Sequence, residues 1–340
     1  MSKLGIYTAK RQGKIMLNAN ESTLNISEEI KSKLIEKISN IPFNRYPDET
    51  SGDLIKAYSK ATGIDKECII AGNGSDEMLG FMIGYFLGKD KNLYTLAPDF
   101  SMYDYYAAVQ ESNVVKYNTE EDGSFDVDGF ISGGIENKAD LVLFSNPNNP
   151  TGFALGKEEL KKIAEAFAPV PVIVDEAYGE FSDVTMVDEI ADYNNLYVTR
   201  TLSKAYGLAG ARIGFLIGNK ENIEELRKHI VPYNISRLDQ AAGEVVLAHA
   251  DEYAEKIKEI CIEREEMYRA LKEIKSVSVY PSKANYIYGK CERKDEMIKC
   301  LEEEGIVIRT YKGDDFRITI GTKQENELVK KCLEKFDREV

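Results

Sequence analysis

Histidine is nearly absent: the 340 residues hold two, His229 and His249, each in a segment with a helical pattern. That leaves almost no raw material for a Ser-His-Asp triad or a histidine-rich metal centre, and no metal is expected. The five cysteines, Cys68, Cys261, Cys291, Cys300 and Cys332, are odd in number, scattered and never spaced C-x-x-C, so neither a disulfide framework nor a zinc site is indicated. No apolar run reaches the length of a membrane span, and the opening MSKLGIYTAKRQGK lacks the apolar core of a signal peptide. A cytoplasmic location without a membrane partner is expected. Positive charge is in deficit, 44 Lys plus Arg against 58 Asp plus Glu for a net −14, whereas a general nucleic-acid binder needs a basic footprint. Chemistry is left to Lys, Asp, Arg, Tyr or a cofactor.

What is present suits packed domains: 43% of the residues are hydrophobic, and the length fits about two units. Residues 1–45 read as an N-terminal arm that also contributes to a small domain, with an extended KIMLNANES run and a helix from Ser27 to about Asn40. Residues 46–240 alternate short apolar runs with helical segments, which argues a large α/β domain with a mostly parallel sheet flanked by helices. Residues 241–340 read as a small α+β domain, with strands in SVSVYPS, ANYIYGK, IVIRTY and FRITIG and helices in DEMIKCLEEE and ENELVKKCLEKF.

Ligands of open parallel sheets sit beyond the carboxyl ends of the strands, so the polar residues that close each apolar run are the candidates. CIIAGNGSDEMLG runs from strand through a glycine-rich turn into a helix opening at Ser75 and Asp76, a geometry that offers free N–H groups to an anion. LVLFSNPNNPTG holds amides at a strand tip, and PVIVDEAYGEF puts Asp175 at a strand mouth, either as a functional acid or as the N-cap of the next helix. In LYVTRTLSKAYGLAGARIGF a lysine, Lys204, stands beside the hydroxyl residues Thr201 and Ser203 at a strand mouth, and Arg212 opens the next strand. A desolvated lysine there can lose its proton and condense with an aldehyde. In FRITIG, Arg317 and Thr319 share one strand face, fit for a carboxylate fork unless the strand is an exposed edge.

Together these residues describe a pyridoxal phosphate site: a Schiff-base lysine, an aspartate for the pyridine nitrogen and a phosphate cradle. From Leu17 to Gly321 the motifs resemble the class I/II aminotransferases of the fold-type I pyridoxal phosphate enzymes, and within them the histidinol-phosphate aminotransferase branch. The resemblance implies that Lys204 carries the cofactor and moves the proton, and that Asp175 pairs with the ring nitrogen. It implies that Tyr178 and Asn149 hydrogen-bond the ring's phenolic oxygen and that Phe100 stacks on the ring. The phosphate is assigned to Ser75, Asp76, Thr201, Ser203 and Arg212, with Tyr46 reaching it from the neighbouring subunit of a homodimer. Arg317 is assigned to the substrate carboxylate, Arg309 to the substrate's own phosphate, and Asn20 to the same pocket.

The implied reaction is transfer of an amino group between L-histidinol phosphate and 2-oxoglutarate, with a small-molecule amino donor and a 2-oxo acid as the partners. Two alternatives stay open. Segments near Val279 and Ala284 resemble threonine-phosphate decarboxylase, a lyase on the same fold, and an aminotransferase for aromatic or other amino acids is the other alternative. Phe100 and Tyr103 also admit a plain reading as core aromatics, and Arg309 as a surface residue of an edge strand.

Overall fold

The computed structural model describes residues 13–23 and 25–338; the leader reading of the first residues lies outside them. The chain begins with β1 (Ile15–Leu17), α1 (Glu28–Ser39), α2 (Gly52–Thr62), β2 (Ile69–Gly72), α3 (Ser75–Phe86), β3 (Asn92–Ala97), α4 (Met102–Val109) and β4 (Asn113–Asn118). It continues through α5 (Val127–Glu136), β5 (Leu141–Ser145), α6 (Lys157–Phe167), β6 (Val172–Asp175), β7 (Leu196–Thr201), β8 (Gly214–Gly218), α7 (Lys220–Arg227), α8 (Arg237–Leu247) and α9 (Ala250–Lys272). The last elements are β9 (Ser278–Val279), β10 (Tyr286–Lys290), α10 (Lys294–Glu303), β11 (Ile306–Thr310), β12 (Asp315–Thr319) and α11 (Lys323–Arg338).

Local chemistry sets many of these boundaries. Ser27 caps α1 by accepting the Ile30 N–H at 3.3 Å, Asp126 caps α5 and Ser236 caps α8, each satisfying N–H groups that the helix leaves unpaired. In α6, Leu160, Ile163, Ala164 and Phe167 recur at helical spacing and are buried together; in α11 Val329, Cys332, Leu333 and Phe336 do the same. Neither histidine lies inside a helix, contrary to the sequence reading: His229 follows the end of α7, and His249 sits in the break between α8 and α9.

The seven-stranded sheet has the order β2-β8-β7-β6-β5-β3-β4, and only β8 runs against the rest. Its strands are apolar on both sides because helices cover both faces. In β5, Leu141 and Leu143 face the α3 side, where Met78, Leu79 and Met82 pack. Val142 and Phe144 face the opposite layer with Leu160 and Phe167 of α6. That second layer runs on without a break into the five-stranded sheet β1-β11-β12-β10-β9. The arm enters this smaller sheet directly, since β1 pairs parallel with β11.

The topology gathers one edge. Strands β2, β3, β5, β6 and β7 end there, and antiparallel β8 begins there, so Arg212 arrives at the same edge as Lys204. β12 is flanked by β11 and β10, which rules out the exposed-edge reading of FRITIG, and β11 is itself covered by β1.

Candidate active site

A cavity of about 450 Å³ opens at this edge between the two sheets. The structure brings all but one of the sequence-predicted site residues to its walls, from Asn20 through Lys204 and Arg212 to Arg317. The exception is Tyr46, which is 77% exposed on the surface and stacks on Tyr233 at 4.9 Å between ring centroids.

At one end is an anion cradle. Gly74 takes φ +84°, and a Cβ there would stand 2.6 Å from Arg212 Nη2, so only glycine lets the guanidinium close over the turn. A Cβ on Gly214 would collide with the Ser75 amide nitrogen. Arg212 donates through Nη2 to Asp76 Oδ2 at 3.1 Å and through Nη1 to Ser203 Oγ at 3.2 Å, while Thr201 Oγ1 donates to Ser203 Oγ at 2.9 Å. The first turn of α3, a fixed cation and two hydroxyls thus converge on one point, which suits a phosphate.

Lys204 lies half-buried at the centre, its Nζ 3.0 Å from the Ala19 carbonyl oxygen. Desolvation, and next the Arg317 guanidinium, lower its pKa to about 8. Asp175 is 3% exposed at the end of β6. Its Oδ2 accepts from the Tyr103 hydroxyl at 2.8 Å, and its Oδ1 accepts from Thr199 Oγ1 at 2.8 Å and from the Ala177 N–H at 3.2 Å. Burial raises its pKa to about 6 against the pull of those hydrogen bonds. No α-helix comes after it to be capped, only a short 3-10 turn at Gly179–Phe181, so the N-cap alternative falls.

The opposite wall comes from the smaller sheet. Arg317 is 4% exposed; it donates to the Asn18 carbonyl oxygen at 3.0 Å and to Asn149 Oδ1, and its Nε has no partner among the described residues. Arg309 is its cross-strand neighbour, half-buried and 5.9 Å from the Tyr311 ring centroid. Asn20 holds a left-handed φ of 54°; its side-chain Nδ2 donates to the Tyr178 hydroxyl and its Oδ1 accepts from Thr319 Oγ1. Phe100 lines the cavity edge-on to Tyr103.

The match to known proteins is nearly end to end. The family of class I and II aminotransferases matches residues 12–334. The chain belongs to that family. The histidinol-phosphate aminotransferase of Clostridium kluyveri is 38% identical over 340 residues, covering 98% of this chain and 97% of the relative. The crystal structure of a histidinol-phosphate aminotransferase from Sinorhizobium meliloti in complex with pyridoxal-5'-phosphate superposes with a TM-score of 0.87 at 24% identity, covering 97% of this chain and 92% of that one. The L-threonine-O-3-phosphate decarboxylase of Porphyromonas gingivalis superposes at 0.81, also at 24% identity, over 95% of this chain and 99% of that one. The fold is therefore common to transferases and lyases.

Membership implies pyridoxal phosphate, and the cavity of this aminotransferase fits the group: a cradle that a Cβ would fill, a desolvated lysine and a buried acid line it together. Sequence reasoning missed how Asp175 is held. In the sequence Tyr103 carries only a core-aromatic reading, and Thr199 carries no signal. Asp99 also went unnoticed, although it lines the cavity, bonds Ser145 and is raised by burial to about 8. Tyr288, Tyr311 and Asp315 complete the wall around Arg317. Only the strand-end rule could have found Asp99, just beyond β3.

Proposed function

We propose that the protein is a histidinol-phosphate aminotransferase, exchanging an amino group between L-histidinol phosphate and 2-oxoglutarate with pyridoxal 5'-phosphate in the 450 Å³ cavity. The observation that carries the donor is the near full-length likeness to relatives of that name. The geometry adds two neighbouring cations, Arg309 and Arg317, facing the same cavity as Lys204, as a substrate with a carboxylate or a phosphate requires.

Once bound, the cofactor supplies an aldehyde that carries the amino group and a ring that withdraws electrons. Ser75, Asp76, Thr201, Ser203 and Arg212 hold its phosphate. Asp175 carries the charge opposite the ring nitrogen, pinned through both oxygens by Tyr103 and Thr199. Asn149 gives its amide oxygen to Arg317, which leaves its NH₂ to donate beside Tyr178 to the ring's phenolic oxygen. Phe100 covers the ring face. Lys204, with a pKa lowered to about 8, can take a proton and give it back near neutral pH. Arg317 grips the substrate carboxylate, Arg309 the donor phosphate, and Asn20 lines the pocket beside them.

A homodimer completes the site. Phe43 and Val231 are 70% and 71% exposed near Tyr46, and Arg237 fixes the Tyr46 carbonyl oxygen at 2.9 Å. An apolar patch of this kind supports burial against a second copy, with Tyr46 reaching the partner's cofactor phosphate. A cytoplasmic location goes with this biosynthetic reading.

The test is a half-reaction. Histidinol phosphate added without keto acid is expected to abolish the absorbance band of the aldehyde form, and 2-oxoglutarate to restore it. Release of carbon dioxide from phosphothreonine, with no change on histidinol phosphate, would support the lyase instead.

A further inference from the structure

The hydroxyl of Tyr178 has one proton, and two buried residues determine where it points. Thr319 Oγ1 accepts the Asn20 backbone N–H at 3.0 Å, a donor that no rotamer or amide flip can reverse. Its own proton goes to Asn20 Oδ1 at 3.2 Å. Reversing the Asn20 amide would leave that hydroxyl proton with no acceptor among the described residues, so the amide oxygen faces Thr319 and the nitrogen faces Tyr178, where Nδ2 donates to the phenol oxygen at 2.8 Å. Tyr178 is thus the acceptor, and among the described residues its proton has no acceptor within hydrogen-bond distance. The side chain lines the cavity. Thr319 and Asn20 are each 1% exposed and Tyr178 5%, so bulk water cannot reorder the chain. Asparagine also suits the left-handed backbone at position 20, where most side chains are strained.

We infer that Thr319 and Asn20 are positioning residues that aim the Tyr178 proton into the cavity, toward an acceptor oxygen on the bound cofactor. This rests on the proposed function for the cofactor, but not on the identity of the amino donor. Asn20 then acts on the cofactor through Tyr178, a role beyond lining the substrate pocket. The same contacts tie the sheets together: Thr319 belongs to the smaller sheet, Tyr178 to the loop after β6, and Asn20 lies between them.

A hydrogen bond donated to the ring's phenolic oxygen favours the deprotonated form of the lysine-bound cofactor, so its loss moves the midpoint of the pH-dependent absorbance band upward. Thr319→Val removes the hydroxyl that orients the amide at nearly constant volume. The midpoint is expected to rise by about 0.4–1 pH unit, the equivalent of one net hydrogen bond. Tyr178→Phe should give a rise at least as large, and Thr319→Val should add nothing in the Tyr178→Phe background. Thr319→Ser, which keeps the hydroxyl, should restore the wild-type midpoint. The charged groups nearest Tyr178, namely Arg317, Asp175 and Lys204, are untouched by these changes.

If Thr319→Val does not fold, Asn20→Gly keeps the left-handed backbone, removes the amide and should shift the midpoint in the same direction. A wild-type midpoint in these variants while Tyr178→Phe moves it would overturn the inference and leave the proposed function standing. So would a shift that persists in the Tyr178→Phe background. An unmoved midpoint in Tyr178→Phe would remove the inference together with the phenolic-oxygen contact, and a wild-type protein that forms no cofactor band would remove the proposed function itself.

Discussion

Tyr103→Phe deletes one oxygen and leaves a ring that can still pack edge-on to Phe100 at 5.6 Å. The lost contact is the 2.8 Å hydrogen bond to Asp175 Oδ2 in a site where both partners are buried. A hydrogen bond to a charged group contributes about 1.5–3 kcal/mol, which corresponds to about 1–2 pH units in the acid's pKa. The bond favours the carboxylate, so its loss raises Asp175 from about 6 toward about 7–8. At pH 7 the ionised fraction in the cofactor-free protein would fall from about nine-tenths to between about one-half and one-tenth. Pairing with the ring nitrogen needs the carboxylate, so the acid limb of pyridoxal phosphate binding should move up by the same interval. The assay is a cofactor titration of the cofactor-free protein from pH 5 to pH 9, monitored by the visible band. Ionisations of the cofactor itself are common to both proteins and cancel in the comparison. An unmoved acid limb, or a loss of affinity equal at every pH, would show that Tyr103 does not hold Asp175 ionised.

The same geometry sets three further outcomes. Lys204→Ala should abolish both the visible band of the bound cofactor and turnover; activity above background, measured by glutamate formation or loss, would contradict the lysine's assignment. Arg212→Ala removes a charge-assisted contact and leaves Asp76 beside the cradle without its cation, so the cofactor's Kd should rise about ten- to hundredfold with little change in the Tm of the cofactor-free protein. Covalent capture of the cofactor needs the neutral amine, and because the Lys204 pKa is depressed, the capture rate should climb with pH and level off near 8, whereas an ordinary lysine would keep climbing to about 10.4.

How much of this was readable in the sequence depends on whether the controlling interaction is local. The Ser27 cap, the helix opening at Ser75 after glycine, and the strand mouths carrying Asp175 and Lys204 are short-range features that the residues themselves announce. Many of the site residues could be gathered because they close an apolar run, and a parallel sheet sends such positions to one edge. Pairings across the chain were hidden. Nothing in IML says that β1 will lie against IVI some 290 residues later, or that this will bury the strand holding Arg309. Tyr103 sits on α4 with the spacing of a core residue, and only the folded packing of that helix brings its hydroxyl to Asp175 at the end of β6. The Ala19 carbonyl that meets Lys204 carries no side-chain signal at all.

Amino transfer from histidinol phosphate through this site is decided by single-turnover spectroscopy of the cofactor-loaded protein. With histidinol phosphate alone, the aldehyde-form band should disappear once, stoichiometrically with sites, and return on addition of 2-oxoglutarate. A spectrum that stays fixed at saturating histidinol phosphate, while another amino donor converts it, would show that histidinol phosphate is not the donor.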